Sequence, residues 1–195
     1  MRLYSIQARA AWDAAQVRGY LSGSHTFQNF DDWPGFERGY AFMRDHMAAR
    51  MNGFSGDFPV WAWTVDPRTR GPIEVNSYGD HVGGYVLLTI EVPDDRVLLS
   101  SLDAFHAVLN GWYLSLTEVE DDAVHADKRE PSDAEKRASW LRIFDLRPQS
   151  EDEIAWRGAY DETDIQACID RVYLHEIVQV EEVVFTPHEP VRNPD

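Results

Sequence analysis

Four sets of residues in this chain have the types and spacing to do chemistry. Gln7 and Gln166 stand inside otherwise apolar, β-favouring runs, RLYSIQ and IQACI. A carboxamide is costly to bury without a partner, so each is either a hydrogen-bonded core residue or a group held for a ligand. Trp61 and Trp63, in PVWAW, alternate with smaller residues. On a strand they share one face, where they serve either as core or as a stacking surface for a base or nicotinamide ring. Arg68 and Arg70 precede Gly71 in a polar stretch, and their guanidinium forks either match pyrophosphate oxygens or face solvent. His106 and Asn110, four apart on a helical pattern, fit a ligand contact or a satisfied structural pair.

Several common chemistries are missing. There is no phosphate-binding glycine loop, no dinucleotide fingerprint, no nucleophile elbow and no H-E-x-x-H. The histidines at positions 25, 46, 81, 106, 125, 175 and 188 are not paired at metal-ligand spacing, and Cys168 is the one cysteine. Neither a metal site nor an internal disulfide is expected. Lys plus Arg number 18 against 34 for Asp plus Glu, a net charge of −16 that repels polyanions at a distance. Broad binding to duplex nucleic acid is disfavoured, although a few local arginines suffice for a small anionic cofactor. The acidity also fits a second class of function, a non-enzymatic module that engages a basic protein partner, as a nucleic-acid mimic does. The segment MRLYSIQARAAW lacks a long apolar run, and no stretch reaches the ~20 apolar residues of a membrane span. A cytoplasmic protein is expected, neither secreted nor integral to a membrane.

The elements that must position these residues can be read from periodicity. With 195 residues, 44% of them hydrophobic, the chain suits one core. RLYSIQ predicts a strand, and ARAAWDAAQVR a helix stopped by Gly19. Phe36, Tyr40, Met43 and Met47 form an amphipathic stripe beginning near Pro34. PVWAWTV reads as a strand, then DPRTRGPIEVNSYGDHVGG as a long loop with a short strand at IEV. YVLLTIEV is an apolar strand that Pro93, Asp94 and Asp95 turn into RVLLS, and EVPDDRVLLS is expected to be the sheet centre. Ser100 with Asp103 fits a capping box for LDAFHAVLNGWYLSL, whose buried stripe is Leu102, Phe105, Leu109, Trp112 and Leu116. TEVEDDAVHADKREP reads as solvated, and the acids from Glu151 to Glu162 as loop. Ser132 and Glu135 form a second capping box for a helix reaching SWLRIF, and the chain then gives a strand, a turn at LHE and a final strand carrying Val178, Val180 and Val184. The expected fold is a single α+β domain over residues 1–187, with a mostly antiparallel sheet and flanking helices, and a tail at 188–195.

The succession LYSIQ, AW, YAFMRDHMAAR, PVWAW, EVPDDRVLLS, FHAVLN, SWLRIFDL and IQA…LHEIVQV resembles an uncharacterised bacterial family, domain of unknown function thirty-eight forty-one, from Leu3 to Phe185. In addition, the first strand followed by AAWDAAQVRGYL is similar to the start of ADP-ribosyltransferase-like proteins of the DNA-modifying toxin type. QACIDRVYLHEIV resembles the late segment in which those enzymes place a catalytic glutamate. That second resemblance implies an ADP-ribosyltransferase-like fold, NAD or a related nucleotide as cofactor, and a protein or single-stranded nucleic-acid acceptor. It sets Gln166 at the glutamate position and Gln7 on a strand that carries a polar cofactor-binding residue. In such enzymes the glutamate holds a hydroxyl of the nicotinamide ribose and stabilises the cationic sugar as nicotinamide leaves. Glutamine accepts that hydrogen bond without the charge, so Glu162 and Glu176 are alternative catalytic carboxylates. Gln7, Trp61, Trp63, Arg68, Arg70, His106 and Asn110 are then the expected cofactor contacts, between the first strand, the PVWAW strand and the IQA strand.

Overall fold

The computed structural model describes residues 1–24, 34–70 and 84–183. The chain opens with β1 (Arg2–Ala8) and α1 (Arg9–Arg18). Gly19 ends the helix in the left-handed region at φ 91°, its N–H donating to Ala15 O, and β2 (Tyr20–Ser22) follows. Next come α2 (Pro34–Arg50), β3 (Val60–Trp63), a 3-10 turn at Pro67–Arg70, β4 (Tyr85–Glu91), β5 (Val97–Ser101) and α3 (Leu102–Asn110). The last part holds α4 (Glu118–Val124), α5 (Asp133–Trp140), α6 (Glu151–Arg157), β6 (Ile165–Ile169), β7 (Arg171–Tyr173) and β8 (Ile177–Val183). Six strands form one sheet in the order β5-β6-β3-β1-β4-β8, with every described pair antiparallel, and β2 pairs with β7 in a small second sheet. The α+β architecture with an antiparallel sheet is therefore as the patterning predicts.

The sheet has two covered faces. Antiparallel partners point their side chains to the same side, so the register sorts residues between them. On one face Leu3, Val60, Ala62, Val86, Leu88, Ile90, Ala167 and Ile169 meet Ala15 and Trp12 of α1 together with Leu21 and Val172 of the small sheet. On the other, Leu98, Cys168 and Trp61 meet Phe42, Met43 and Met47 of α2, Phe105 and Val108 of α3, and Trp140 of α5. Gly39 lets α2 approach α3 closely, since a Cβ there would lie 2.7 Å from the Leu109 side chain.

Several local expectations are corrected. EVPDDRVLLS is not the sheet centre: β5 lies at one edge and β4 beside the other, joined through residues 92–96. The reason is that β4, buried on both faces from Tyr85 to Ile90, is flanked by β1 and β8, while β5 finds its partner in β6. The cap of α3 is Ser101, whose hydroxyl accepts from Ala104 N at 3.2 Å, not Ser100. Asp103 instead pairs with Arg157. Because Gly111 takes φ 69° and stops α3 at Asn110, Trp112 leaves the buried stripe and is 62% exposed. The acidic stretch is not loop but α4, capped by Thr117, and the acids from Glu151 start α6, capped by Ser150. Carboxylates in a first turn oppose the positive end of the helix dipole, which explains why these acid-rich segments fold. The Ser132 and Glu135 capping box forms as expected. The IEV strand, Val184 and the 188–195 tail lie outside the described residues.

Leu88, fully buried on β4, should lose about 2–5 kcal/mol of stability on changing to Ala, through lost burial and the cavity left behind. Val180→Ala on the 41% exposed face of β8 should stay within about 0.5 kcal/mol. Urea denaturation of both variants measures the contrast.

Candidate functional site

Register across the sheet builds one continuous row of side chains. Ser100 pairs with Gln166, Gln166 with Trp63, Trp63 with Tyr4, Tyr4 with Thr89 and Thr89 with Gln179. These six residues, one from each strand, stand on the same face of the sheet as Trp61 and Cys168. Gln166 is only 4% exposed, and its Nε2 donates to the Ser100 hydroxyl at 3.2 Å. That is the one hydrogen bond its side chain makes among the described residues, which leaves the amide oxygen able to accept from an incoming group. Half-buried Trp63 and Tyr4 continue the row as aromatic surface.

Trp61 lies on the same face but serves the core. Its ring packs 5.4 Å from Tyr40 and 5.0 Å from Phe105, centroid to centroid. Its indole N–H is buried, with no acceptor at hydrogen-bond geometry among the described residues. The nearby Tyr40 hydroxyl is pushed up to about 12, chiefly by burial. Burial likewise holds the Cys168 thiol well above its usual value, so it stays protonated and inert.

The other expected contacts do not gather here. Gln7 shares its face with Leu3 and Ser5, opposite to Gln166, and donates to Ser5 Oγ at 2.7 Å while Ser5 Oγ donates to Trp61 O at 2.6 Å. Gln7 is thus a structural link between β1 and β3, because strand alternation sends it away from Tyr4. Arg68 is held by Asp66 at 2.6 Å and by both oxygens of Glu181 at 2.9 and 3.0 Å, so its fork is filled rather than open to a pyrophosphate. Those carboxylates raise its pKa further, the hydrogen bond to Asp66 being the largest cause. Arg70 closes the same 3-10 turn, and its side chain lies outside the described residues. His106 and Asn110 are exposed on α3, where Asn110 Nδ2 donates to His106 O at 2.8 Å.

Of the two carboxylates, Glu176 is consumed structurally: it is 6% exposed, ion-paired to Arg96, and accepts Tyr173 N at 2.8 Å. Glu162 is exposed, and its carbonyl accepts the Thr64 hydroxyl at 3.0 Å, tying it to the end of β3 that carries Trp63. Glu162 therefore joins the Gln166 end of the sheet, and Glu176 does not. Sequence reasoning missed Tyr4, Ser100 and Thr89. Period-two alternation in RLYSIQ already separates Tyr4 from Gln7, whereas only the pairing of β5 with β6 reveals Ser100.

A cleft of about 190 Å³ opens beside the start of β6, lined by Ser101, Asp103, Arg142, Arg147, Arg157 and Tyr160 among others, and holds none of the expected site residues. Its guanidinium groups are already engaged: Arg142 with Glu120 at 2.6 Å, Arg147 with Glu153 at 2.7 Å, and Arg157 with Asp103. The cleft is a polar framework that supports β6 rather than the place where the expected chemistry converges. Among the described residues no group of three His, Cys, Asp or Glu side chains could hold a metal ion, and no helix is long and apolar enough to cross a membrane.

The family described as Domain of unknown function (DUF3841) matches residues 2–137, more than half of the chain. The chain belongs to that family. In this DUF3841 member the match spans the strands that carry Tyr4, Trp63, Thr89 and Ser100, and ends before β6 with Gln166. No curated protein and no solved structure matches the chain.

The Glu153 carboxyl at the start of α6 is held down from 4.5 to about 2, first by Arg147 and then by the Ser150 backbone N–H. Because the folded value lies below the unfolded one, the stabilisation is complete above pH 4.5 and is lost as pH falls towards 2. Melting temperatures of wild type and Glu153→Gln should therefore differ at neutral pH and converge through that acid window. A difference that stays constant with pH would contradict this role.

Proposed function

We propose that this protein is an ADP-ribosyltransferase-like domain that holds NAD, or a nucleotide of the same construction, over the row Gln166, Trp63 and Tyr4. One observation carries the reading: the three strands expected to hold the cofactor, two from the resemblance and one from its paired tryptophans, are immediate neighbours in the order β6-β3-β1, and their register sets these three side chains on one face. The resemblance itself rested on the two ends of the chain, so their meeting beside PVWAW is independent support.

Each residue has a role its chemistry suits. The Gln166 amide oxygen accepts a ribose hydroxyl while its Nε2 donates to Ser100. Trp63 and Tyr4 offer aromatic faces to a planar ring. Bound NAD would supply the ADP-ribosyl group, with nicotinamide as its leaving group. A neutral carboxamide does not oppose developing positive charge, so this duty falls to Glu162, which Thr64 anchors at the same end of the sheet. Gln7, Arg68, His106, Asn110 and Glu176 have no part in this reading.

The alternative, an acidic module that engages a basic partner, draws no comparable observation. Many of the described carboxylates sit in scattered ion pairs such as Arg2–Glu91, Arg96–Glu176 and Arg147–Glu153, or in the first turns of α4 and α6. A mimic needs them on one face.

Incubation of the protein with labelled NAD, alone and with cell extract, tests the proposal. Gln166→Ala and Trp63→Ala should each weaken NAD binding by roughly tenfold, the scale of one lost hydrogen bond or stacking contact, while His125→Ala at the end of α4 should leave it unchanged. Gln166→Glu should raise label transfer. Absence of both binding and transfer in the wild type would refute the reading.

A further inference from the structure

At the far end of β3 and β6 from Gln166 lies a second pocket of about 310 Å³, lined by Arg18, Tyr20, Ser22, Arg44, Asp57 and Phe58 among others. Its charge runs against that of the whole protein. Most arginines described above are tied to carboxylates, yet among the described residues neither Arg18 nor Arg44 has a carboxylate within ion-pair reach. The one acid in the lining, Asp57, is neutralised by Arg171, whose Nε donates to it at 3.1 Å.

The Arg18 and Arg44 guanidinium groups are held in place by aromatic rings rather than by acids. Arg18 lies 4.8 Å and Arg171 4.5 Å from the centroid of Tyr20, and Arg44 lies 5.2 Å from that of Phe58. Stacking occupies the flat face of a guanidinium and leaves its N–H edges free to donate. Arg18 spends Nε on Tyr20 O at 3.2 Å, and Arg44 makes no hydrogen bond among the described residues. Ser22 adds a hydroxyl: the residue is 7% exposed, lines the pocket, and its side chain has no hydrogen-bond partner among the described residues. The small sheet fixes this corner, since β2 pairs with β7 and Gly23 approaches Phe58 so closely that a Cβ would lie 2.4 Å from the Phe58 carbonyl oxygen.

We propose that this pocket is an anion site for a phosphate group, gripped by the N–H edges of Arg18 and Arg44 with the Ser22 hydroxyl as a further donor. Two guanidinium groups without a carboxylate partner among the described residues, together with the Ser22 hydroxyl, match the oxygens of a phosphate monoester or pyrophosphate. The net charge of −16 repels a long polyanion, so the ligand is a small phosphorylated molecule or a single phosphodiester of a short strand. This site goes beyond the NAD reading and does not depend on it.

Calorimetric titration with inorganic pyrophosphate, adenosine 5′-monophosphate and an eight-nucleotide oligothymidylate tests the assignment and separates the two phosphate sources. Saturable binding of at least one probe is expected, weakened roughly tenfold by Arg44→Gln and by Arg18→Gln, with Arg44→Lys intermediate because it keeps the charge without the fork. Binding confined to the oligonucleotide would assign the source as a nucleic-acid strand, and binding of the small probes a free phosphate compound. Gln166→Ala should leave the pyrophosphate titration unchanged, so loss of NAD binding and loss of phosphate binding are read apart. Unaltered melting temperatures would confirm that the surface variants fold. No saturable binding of any probe, or binding that survives the Arg18→Gln/Arg44→Gln double variant, overturns the proposal.

Discussion

The placement of β6 between β5 and β3 is the constraint on which the rest of the site depends. Gln166 is costly to bury, and it is tolerated because that placement brings the Ser100 hydroxyl within 3.2 Å of its Nε2. The same pairing sets Gln166 beside Trp63, and the pairing of β3 with β1 carries the row on to Tyr4. A slip of one residue in either register would turn Gln166 to the α1 side of the sheet and scatter the row. Register is protected by burial on both faces: Cys168 packs among α2 and α3 residues, while Ala167 and Ile169 pack towards α1.

Strand and helix existence was legible in the sequence wherever periodicity was strong. RLYSIQ, the Phe36 to Met47 stripe, PVWAW, YVLLTIEV and the Ser132 capping box all reappear as read. What periodicity does not encode is which strands are neighbours. The run EVPDDRVLLS looks like adjacent strands, yet its halves lie near opposite sides of the sheet, because long-range pairing rather than chain proximity decides partners. The Ser100–Ser101 doublet shows the limit at single-residue scale: either serine satisfies a capping pattern, and only the start of α3 at Leu102 assigns the cap to Ser101 and frees Ser100 for Gln166.

Placement of the candidate residues was legible only in part. Trp63, Gln166 and Glu162 were named from residue type and resemblance, and they fall at one end of the sheet. Gln7 stands on the opposite face, Arg68 and Glu176 are paired within the protein, and His106 and Asn110 are exposed on α3. The common cause is that polar side chains earmarked for a ligand were satisfied by the protein itself. Acidity follows the same logic, since Glu120, Glu153 and Glu181 each answer a specific arginine. Arg18 and Arg44 depart from it, held by aromatic rings instead.

In the proposed complex a nucleotide meets the sheet at Trp63. Fluorine NMR of protein labelled with 5-fluorotryptophan, with the Trp63 signal identified through Trp63→Phe, tests it most directly. Titration with NAD should give a saturable shift of the Trp63 resonance, while exposed Trp112 and Trp156 remain unmoved. A Trp63 signal that stays fixed while NAD binds, or shifts confined to Trp112 or Trp156, would contradict it.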